Sequence, residues 1–152
     1  MPAPHRNDLD TDCVIAGAGP AGLMLALLLA RAGLAVTLVE KHGDFLRDFR
    51  GDTIHPSTLE VMHELGLAEA LLELPHTQAP TLHAEIAGAD VTLADFSRLP
   101  VRSRFIAFMP QWDFLAFLAR EASRHPGFRL IMNAEVTGLV EEAGRVNGLV
   151  IR

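Results

Sequence analysis

The chain has a single cysteine in 152 residues, which excludes an internal disulfide framework and fits a reducing compartment. Cys13 falls within an apolar run, where a buried, inert thiol is expected. Positive charge is also scarce. Thirteen Lys and Arg stand against nineteen Asp and Glu, a formal net charge of −6, so there is no basic surface to attract nucleic acid or anionic lipid. The seven histidines show neither paired nor clustered His/Cys spacing, and there is no Gly-x-Ser-x-Gly elbow. Neither a metal nor a covalent nucleophile is predicted, and His55 and His63 read as a loop residue and a helix-face residue. Internal repeats, low-complexity runs and domain-separating linkers are missing too, so one domain is the default.

A membrane span and an export signal are excluded by what their positions lack. The uncharged run from Cys13 to Ala30 touches the lower limit for a span, but glycines and a proline break it into two elements. The residues before it carry Asp8, Asp10 and Asp12 with only Arg6, not a basic n-region, and a cytoplasmic location is expected.

What is present is an apolar chain, 49% hydrophobic and 21% charged, able to bury a core. Its main feature is Asp12 to Glu40. Val14 and Ile15 make a short strand, followed at once by Gly17-Ala18-Gly19-Pro20-Ala21-Gly22 and a Leu- and Ala-rich helix from about Ala21 to Ala32. Gly33 stands where a left-handed helix end is expected, and a second strand, Ala35 to Val39, runs into Glu40. In such a motif the first glycine permits the turn, the second lets backbone approach a pyrophosphate, and the third lets helix pack on strand. The new helix turns unpartnered N–H groups and its positive dipole end toward the phosphates, and Pro20 is tolerated there. Glu40 lies near the roughly 20-residue offset at which an acid meets ribose hydroxyls. The bland alternative, a tight βαβ turn without a nucleotide, explains the glycines less well and Glu40 not at all.

After Glu40 a polar loop, Lys41 to Thr53, carries Arg47 and Arg50. Pro56 opens a helix through Leu65, stopped by Gly66, and a short helix from Ala68 to Leu74 ends at Pro75. Thr81 to Ile86 and Val91 to Phe96 read as a hairpin across Gly88-Ala89-Asp90, an antiparallel insertion in a parallel sheet. Phe105 to Met109 reads as a strand, and a helix from about Trp112 to Arg124 should face the core with Trp112, Leu115, Phe117, Leu118 and Ala122. Phe128 to Met132 returns to the main sheet. Glu135 to Val140 and Val146 to Ile151 form a hairpin across Glu142-Ala143-Gly144, and an end in mid-strand suggests a piece of something longer.

Three segments resemble the FAD-dependent aromatic hydroxylases, the single-component flavoprotein monooxygenases typified by para-hydroxybenzoate hydroxylase. They are the run from Asp12 to Lys41; Arg50-Gly51-Asp52-Thr53-Ile54-His55-Pro56-Ser57-Thr58-Leu59-Glu60-Val61-Met62 with Leu65-Gly66-Leu67; and Pro110-Gln111-Trp112-Asp113-Phe114-Leu115. The resemblance implies a Rossmann-like, glutathione-reductase-like FAD-binding domain, C-terminally truncated relative to the family. Residues 1–11 would be a flexible leader, 12–152 the incomplete FAD domain, and 78–108 the start of the substrate domain. Gly17, Gly19, Pro20, Ala21, Gly22, Glu40 and Lys41 are then the FAD contacts of the first motif. By resemblance Arg50 contacts the pyrophosphate, Gln111 approaches the phosphate and ribityl region, and Val136 lies where these enzymes pass the adenine. A guanidinium fork and an amide at a helix start suit phosphate oxygens on independent grounds.

The activity implied is hydroxylation of an aromatic, phenol-like or polycyclic, substrate with O2, through a flavin C4a-hydroperoxide formed after reduction by NADPH or NADH. Two alternatives stay open: a stand-alone, non-catalytic nucleotide-binding module, and a related flavoprotein reductase or halogenase. No catalytic acid or base is assigned.

Overall fold

A computed structural model describes residues 10–46 and 51–152, and these form a mixed α/β structure. The chain divides into two units, Met1–Phe45 with Leu115–Arg152, and Leu46–Phe114.

In the first unit, β1 (Cys13–Ala16) leads through the glycine turn into α1 (Pro20–Arg31) and on to β2 (Val36–Val39). The two strands pair in parallel from Cys13↔Val36 to Ala16↔Val39, as a strand, helix, strand crossover requires. Helix α1 buries Leu23, Ala26, Leu27 and Ala30, a stripe at helical spacing. It ends as its last glycine predicts: Gly33 has φ of 88° and donates to the carbonyl of Ala30, while Leu34 N–H reaches back to Leu29, the paired bonds of a Schellman cap. Cys13 is half-buried rather than buried.

The second unit holds β3 (Thr53–Ile54), α2 (Pro56–Glu64), α3 (Ala68–Leu72), β4 (Thr77–Ala79), β5 (Thr81–Ile86), β6 (Ala89–Asp95) and β7 (Ile106–Phe108). Pro56 occupies the first turn of α2, and Gly66, at φ of 72°, ends it with a second Schellman pair, Gly66 to His63 and Leu67 to Met62. Strands β3, β7 and β4 form an antiparallel sheet in that order, and β5 and β6 a separate ribbon. Thr53, expected in a loop, is therefore in a strand, and β4 had no prediction. Two- and three-residue strands carry too little alternation to be read; their partner β7, between them, is what makes them strands.

The β5–β6 turn also differs from expectation. It is the pair Ala87-Gly88, both at positive φ, while Ala89 and Asp90 belong to the strand. Two positive-φ residues make the hairpin turn whose twist matches the flanking strands, so the turn is shorter than a three-residue reading of Gly88-Ala89-Asp90.

The chain closes with α4 (Gln111–Ala122), β8 (Phe128–Ile131), β9 (Val136–Glu142) and β10 (Arg145–Ile151). Strand β8 returns parallel to β2, giving the sheet order β1-β2-β8 with β2, all four residues buried, in the middle. Leu115, Phe117, Leu118 and Ala122 of α4 are buried as predicted, but Trp112 is 38% exposed. It lies in the first turn, one residue after Gln111, off the stripe formed by the other four.

Strands β9 and β10 pair across Ala143-Gly144, again two positive-φ residues, with Glu142 paired to Arg145 rather than in the turn. An alanine held at φ of 52° carries a steric cost that Asn escapes. Ala143→Asn should raise stability by about 0.5–1 kcal/mol and Tm by about 2 °C. Thermal unfolding checks this, and an unchanged or lower Tm would contradict the left-handed assignment.

Candidate functional site

Strand β1 delivers the chain to the glycine turn at the end where β2 delivers Glu40. Gly17 N–H donates to the carbonyl of Val39 at 2.7 Å, carrying the β1–β2 pairing one step past the strand end. Its φ of 97° is a backbone that L side chains rarely adopt. Gly19 is the N-cap of α1, with extended backbone and no side-chain cap, and its carbonyl accepts the N–H of Leu23 at 2.9 Å. No acidic residue stands in the first turn of α1. The helix therefore presents its N-terminal dipole end with no carboxylate of its own turn to occupy it.

The three glycines are required for different physical reasons. A Cβ at Gly22 would fall on the carbonyl oxygen of Gly17 and within 3.5 Å of Ile15 Cγ2, so this glycine lets helix lie on turn. Gly17 is demanded by its backbone angle. Gly19 is demanded by neither: its φ is −74°, and an added Cβ meets nothing within 4 Å beyond its chain neighbours. A glycine that neither conformation nor packing explains is what close approach of a ligand to the backbone predicts. The turn therefore fits a dinucleotide pyrophosphate at the N-terminus of α1.

Glu40 is 8% exposed. One carboxylate oxygen accepts the N–H of Ala18 at 2.9 Å and the other the N–H of His42 at 3.0 Å. Its own N–H donates to Ile131, and its carbonyl accepts Ala134 N–H, both at 2.8 Å. Glu40 thus ties the glycine turn to the end of β2. That bracing role had no sign in the sequence, where the residue reads only as a ribose partner. Lys41, next along the chain, is exposed.

In the second unit, Gln111 opens α4 and its backbone N–H donates to Asp52 Oδ1 at 3.1 Å. Gly51 has φ of 105°, and a Cβ there would come within 2.9 Å of Gln111 Nε2. The structure thus brings Gly51 and Asp52 together with Gln111. Arg47 and Arg50 lie outside the described residues. Val136 is the half-buried first residue of β9, paired with Ile151.

His63, predicted on a helix face, is there, and its Nε2 lies 2.9 Å from the hydroxyl oxygen of buried Ser103. One turn earlier on α2, Glu60 accepts the N–H of Arg102 at 3.0 Å. These bonds moor the segment before β7 to α2. Asp95 is held below the usual carboxylate range by the Ser97 hydroxyl first and the Ser97 N–H second, an exposed turn at the end of β6. Among the described residues no group of three His, Cys, Asp or Glu is placed to hold a metal, and no helix is long and apolar enough to cross a membrane.

The FAD binding domain family model matches residues 10–151. The chain is 34% identical over 149 residues to a 6-methylpretetramide 4-monooxygenase of Streptomyces rimosus, covering 98% of this chain and 36% of that protein. Among solved structures, OxyS anhydrotetracycline hydroxylase from Streptomyces rimosus superposes with a TM-score of 0.75 at 30% identity, over 94% of this chain and 28% of that one. The myxobacterial chondrochloren halogenase CndH gives a TM-score of 0.79 at 23% identity, over 93% of this chain and 33% of that one, a likeness of fold alone. In each case the chain spans about a third of the other protein or less. With a glycine turn that leaves room for a pyrophosphate and a family match along nearly its whole length, this chain belongs to the FAD-binding domain family, whose cofactor is FAD.

Proposed function

We propose that this chain is the FAD-holding portion of a longer, NAD(P)H-dependent monooxygenase that hydroxylates an aromatic substrate. The observation that carries the reading is Gly19, a helix N-cap whose lack of a side chain serves neither backbone conformation nor packing. The backbone of Gly17, Gly19, Pro20, Ala21 and Gly22 would hold the pyrophosphate, with Glu40 toward the adenosine ribose and Lys41 beside it. From the resemblance, Arg50 joins the pyrophosphate, Gln111 the phosphate and ribityl region, and Val136 the adenine. The architecture is read as Rossmann-like and glutathione-reductase-like, with 1–11 a leader, 12–152 the FAD domain and 78–108 the start of a substrate domain. When bound, FAD would supply the redox and oxygen chemistry, with NAD(P)H as reductant and O2 as oxidant. The residues of this chain bind and orient it, and no acid or base among them is assigned to the chemistry on the substrate.

A halogenase shares the fold, so fold does not decide between the two reactions. The higher identity to a protein named as a monooxygenase favours hydroxylation. Purification of the whole protein should yield oxidised-flavin absorption near roughly 375 and 450 nm and NAD(P)H oxidation stimulated by a phenolic or polycyclic aromatic. A colourless protein that takes up no added FAD would sink the reading, and halide-dependent product formation would move it to the halogenases. Within it, Arg50→Ala removes a charge-assisted contact worth roughly 1.5–3 kcal/mol. FAD affinity should fall at least about tenfold, and unchanged affinity on titration would remove Arg50 from the site.

A further inference from the structure

We propose that Asp52 is a positioning residue for FAD binding, acting through Gln111. This rests on the reading of Gln111 as an FAD contact. Helix α4 has its first N–H taken by a carboxylate from far away in the chain: Asp52 Oδ1 accepts Gln111 N–H at 3.1 Å across 59 residues. A cap on a neighbouring residue would travel with the helix. This one anchors the helix start to a different segment.

The anchor is continuous with the sheet. Strands β3 and β7 pair with Thr53 opposite Phe108, and one step further along Met109 N–H donates to the carbonyl of Asp52 at 2.9 Å. The Gln111 bond to the Asp52 side chain lies just beyond. Gln111 is thus registered against 52–54 by a backbone bond and a side-chain bond at one residue, with Met109 1% exposed between them.

Gly51 completes the arrangement. Its φ of 105° and the 2.9 Å approach of its would-be Cβ to Gln111 Nε2 place the amide of Gln111 directly against Gly51 backbone. Because Asp52 occupies the backbone N–H of Gln111, the side-chain amide is the donor this residue can direct to a ligand. Its direction depends on where Asp52 holds the helix start.

The test is a double-mutant cycle in the whole protein, read by flavin fluorescence titration with FAD, with denaturant unfolding of each variant without FAD to fix the folded fraction. Gln111→Ala should weaken FAD binding about tenfold, and Asp52→Ala by a similar factor. The double variant should bind no more weakly than Gln111→Ala alone. Asp52→Asn keeps a capping oxygen of the same reach and should retain affinity within about twofold. A purely structural Asp52 would lower the unfolding midpoint but leave the affinity of folded protein unchanged, or add its loss in full to that of Gln111→Ala. Either result overturns the inference while leaving FAD binding intact. If Asp52→Ala does not fold, Asp52→Glu, one methylene longer, should displace Gln111 and weaken binding several-fold in the wild-type background and not in Gln111→Ala. Failure of the wild-type whole protein to bind FAD overturns the proposed function itself, and binding indifferent to Gln111→Ala overturns the assignment of Gln111.

Discussion

Gly22→Ala is expected to destabilise the chain by about 3 kcal/mol, at the upper end of what overpacking by a single methyl costs. The added Cβ would fall on the carbonyl oxygen of Gly17, with the carbonyl carbon at 3.2 Å and Ile15 Cγ2 at 3.5 Å. Neither obstacle can move cheaply. The carbonyl belongs to a turn whose N–H is bonded to Val39, and Ile15 belongs to the strand paired with β2. Relief requires α1 to lift from the turn, which uncovers the stripe of Leu23, Ala26, Leu27 and Ala30 that holds it down. Urea unfolding should show a lower midpoint with an unchanged slope. A midpoint equal to wild type would mean that helix and turn are not packed as described. Loss of FAD binding should accompany the loss of stability, because the turn and the helix start are one unit.

Gly19→Val should separate those two effects. Valine is allowed at φ of −74° with extended ψ, and its Cβ meets nothing within 4 Å beyond its chain neighbours, so folding without FAD should lose only about 1 kcal/mol, the cost of a poor N-cap. FAD affinity, in contrast, should fall by about 100-fold, roughly 2.7 kcal/mol, since a branched side chain would stand where the pyrophosphate approaches the backbone. Urea unfolding of the FAD-free chain together with an FAD titration gives both numbers. If stability and affinity fell together, Gly19 would be a packing residue like Gly22. If neither fell, the phosphate approach would lie elsewhere. The two glycines stand three residues apart in one motif, yet one is predicted to act through the protein and the other through the ligand.

The tie from Glu40 to Ala18 bears on both variants. A buried carboxylate accepting two backbone N–H groups makes charge-assisted bonds that hold the turn in place before any ligand arrives. Preorganisation of this kind lowers the ordering cost of binding. An acid at the end of β2 is therefore useful to the turn itself, in addition to any hydroxyl it meets on a ribose.

Much of the helical structure in both units was legible because its signals are local. Gly33 and Gly66 end helices through bonds spanning a few residues, Pro20 and Pro56 open them, and the apolar stripe of α1 repeats at helical spacing. Turn boundaries were less legible. An Ala-Gly pair reads as an ordinary connection until the strands on either side are registered, and only then must alanine take a positive φ. Trp112 shows the same weakness in the core prediction: a large apolar side chain near a helix start reads as buried, and the direction of the first turn leaves it exposed.

By itself, then, the sequence determined the order of strand, glycine turn, helix and strand, and with it a fit to a dinucleotide, because each step rests on backbone preferences confined to a few residues. Only tertiary structure decided which glycine packing requires and which it leaves unexplained, that Glu40 braces the turn it faces, and that Asp52 holds Gln111 across 59 residues. Those relations depend on which distant backbone atoms meet, and a linear pattern carries no signal for a bond whose two ends fold together from separate segments.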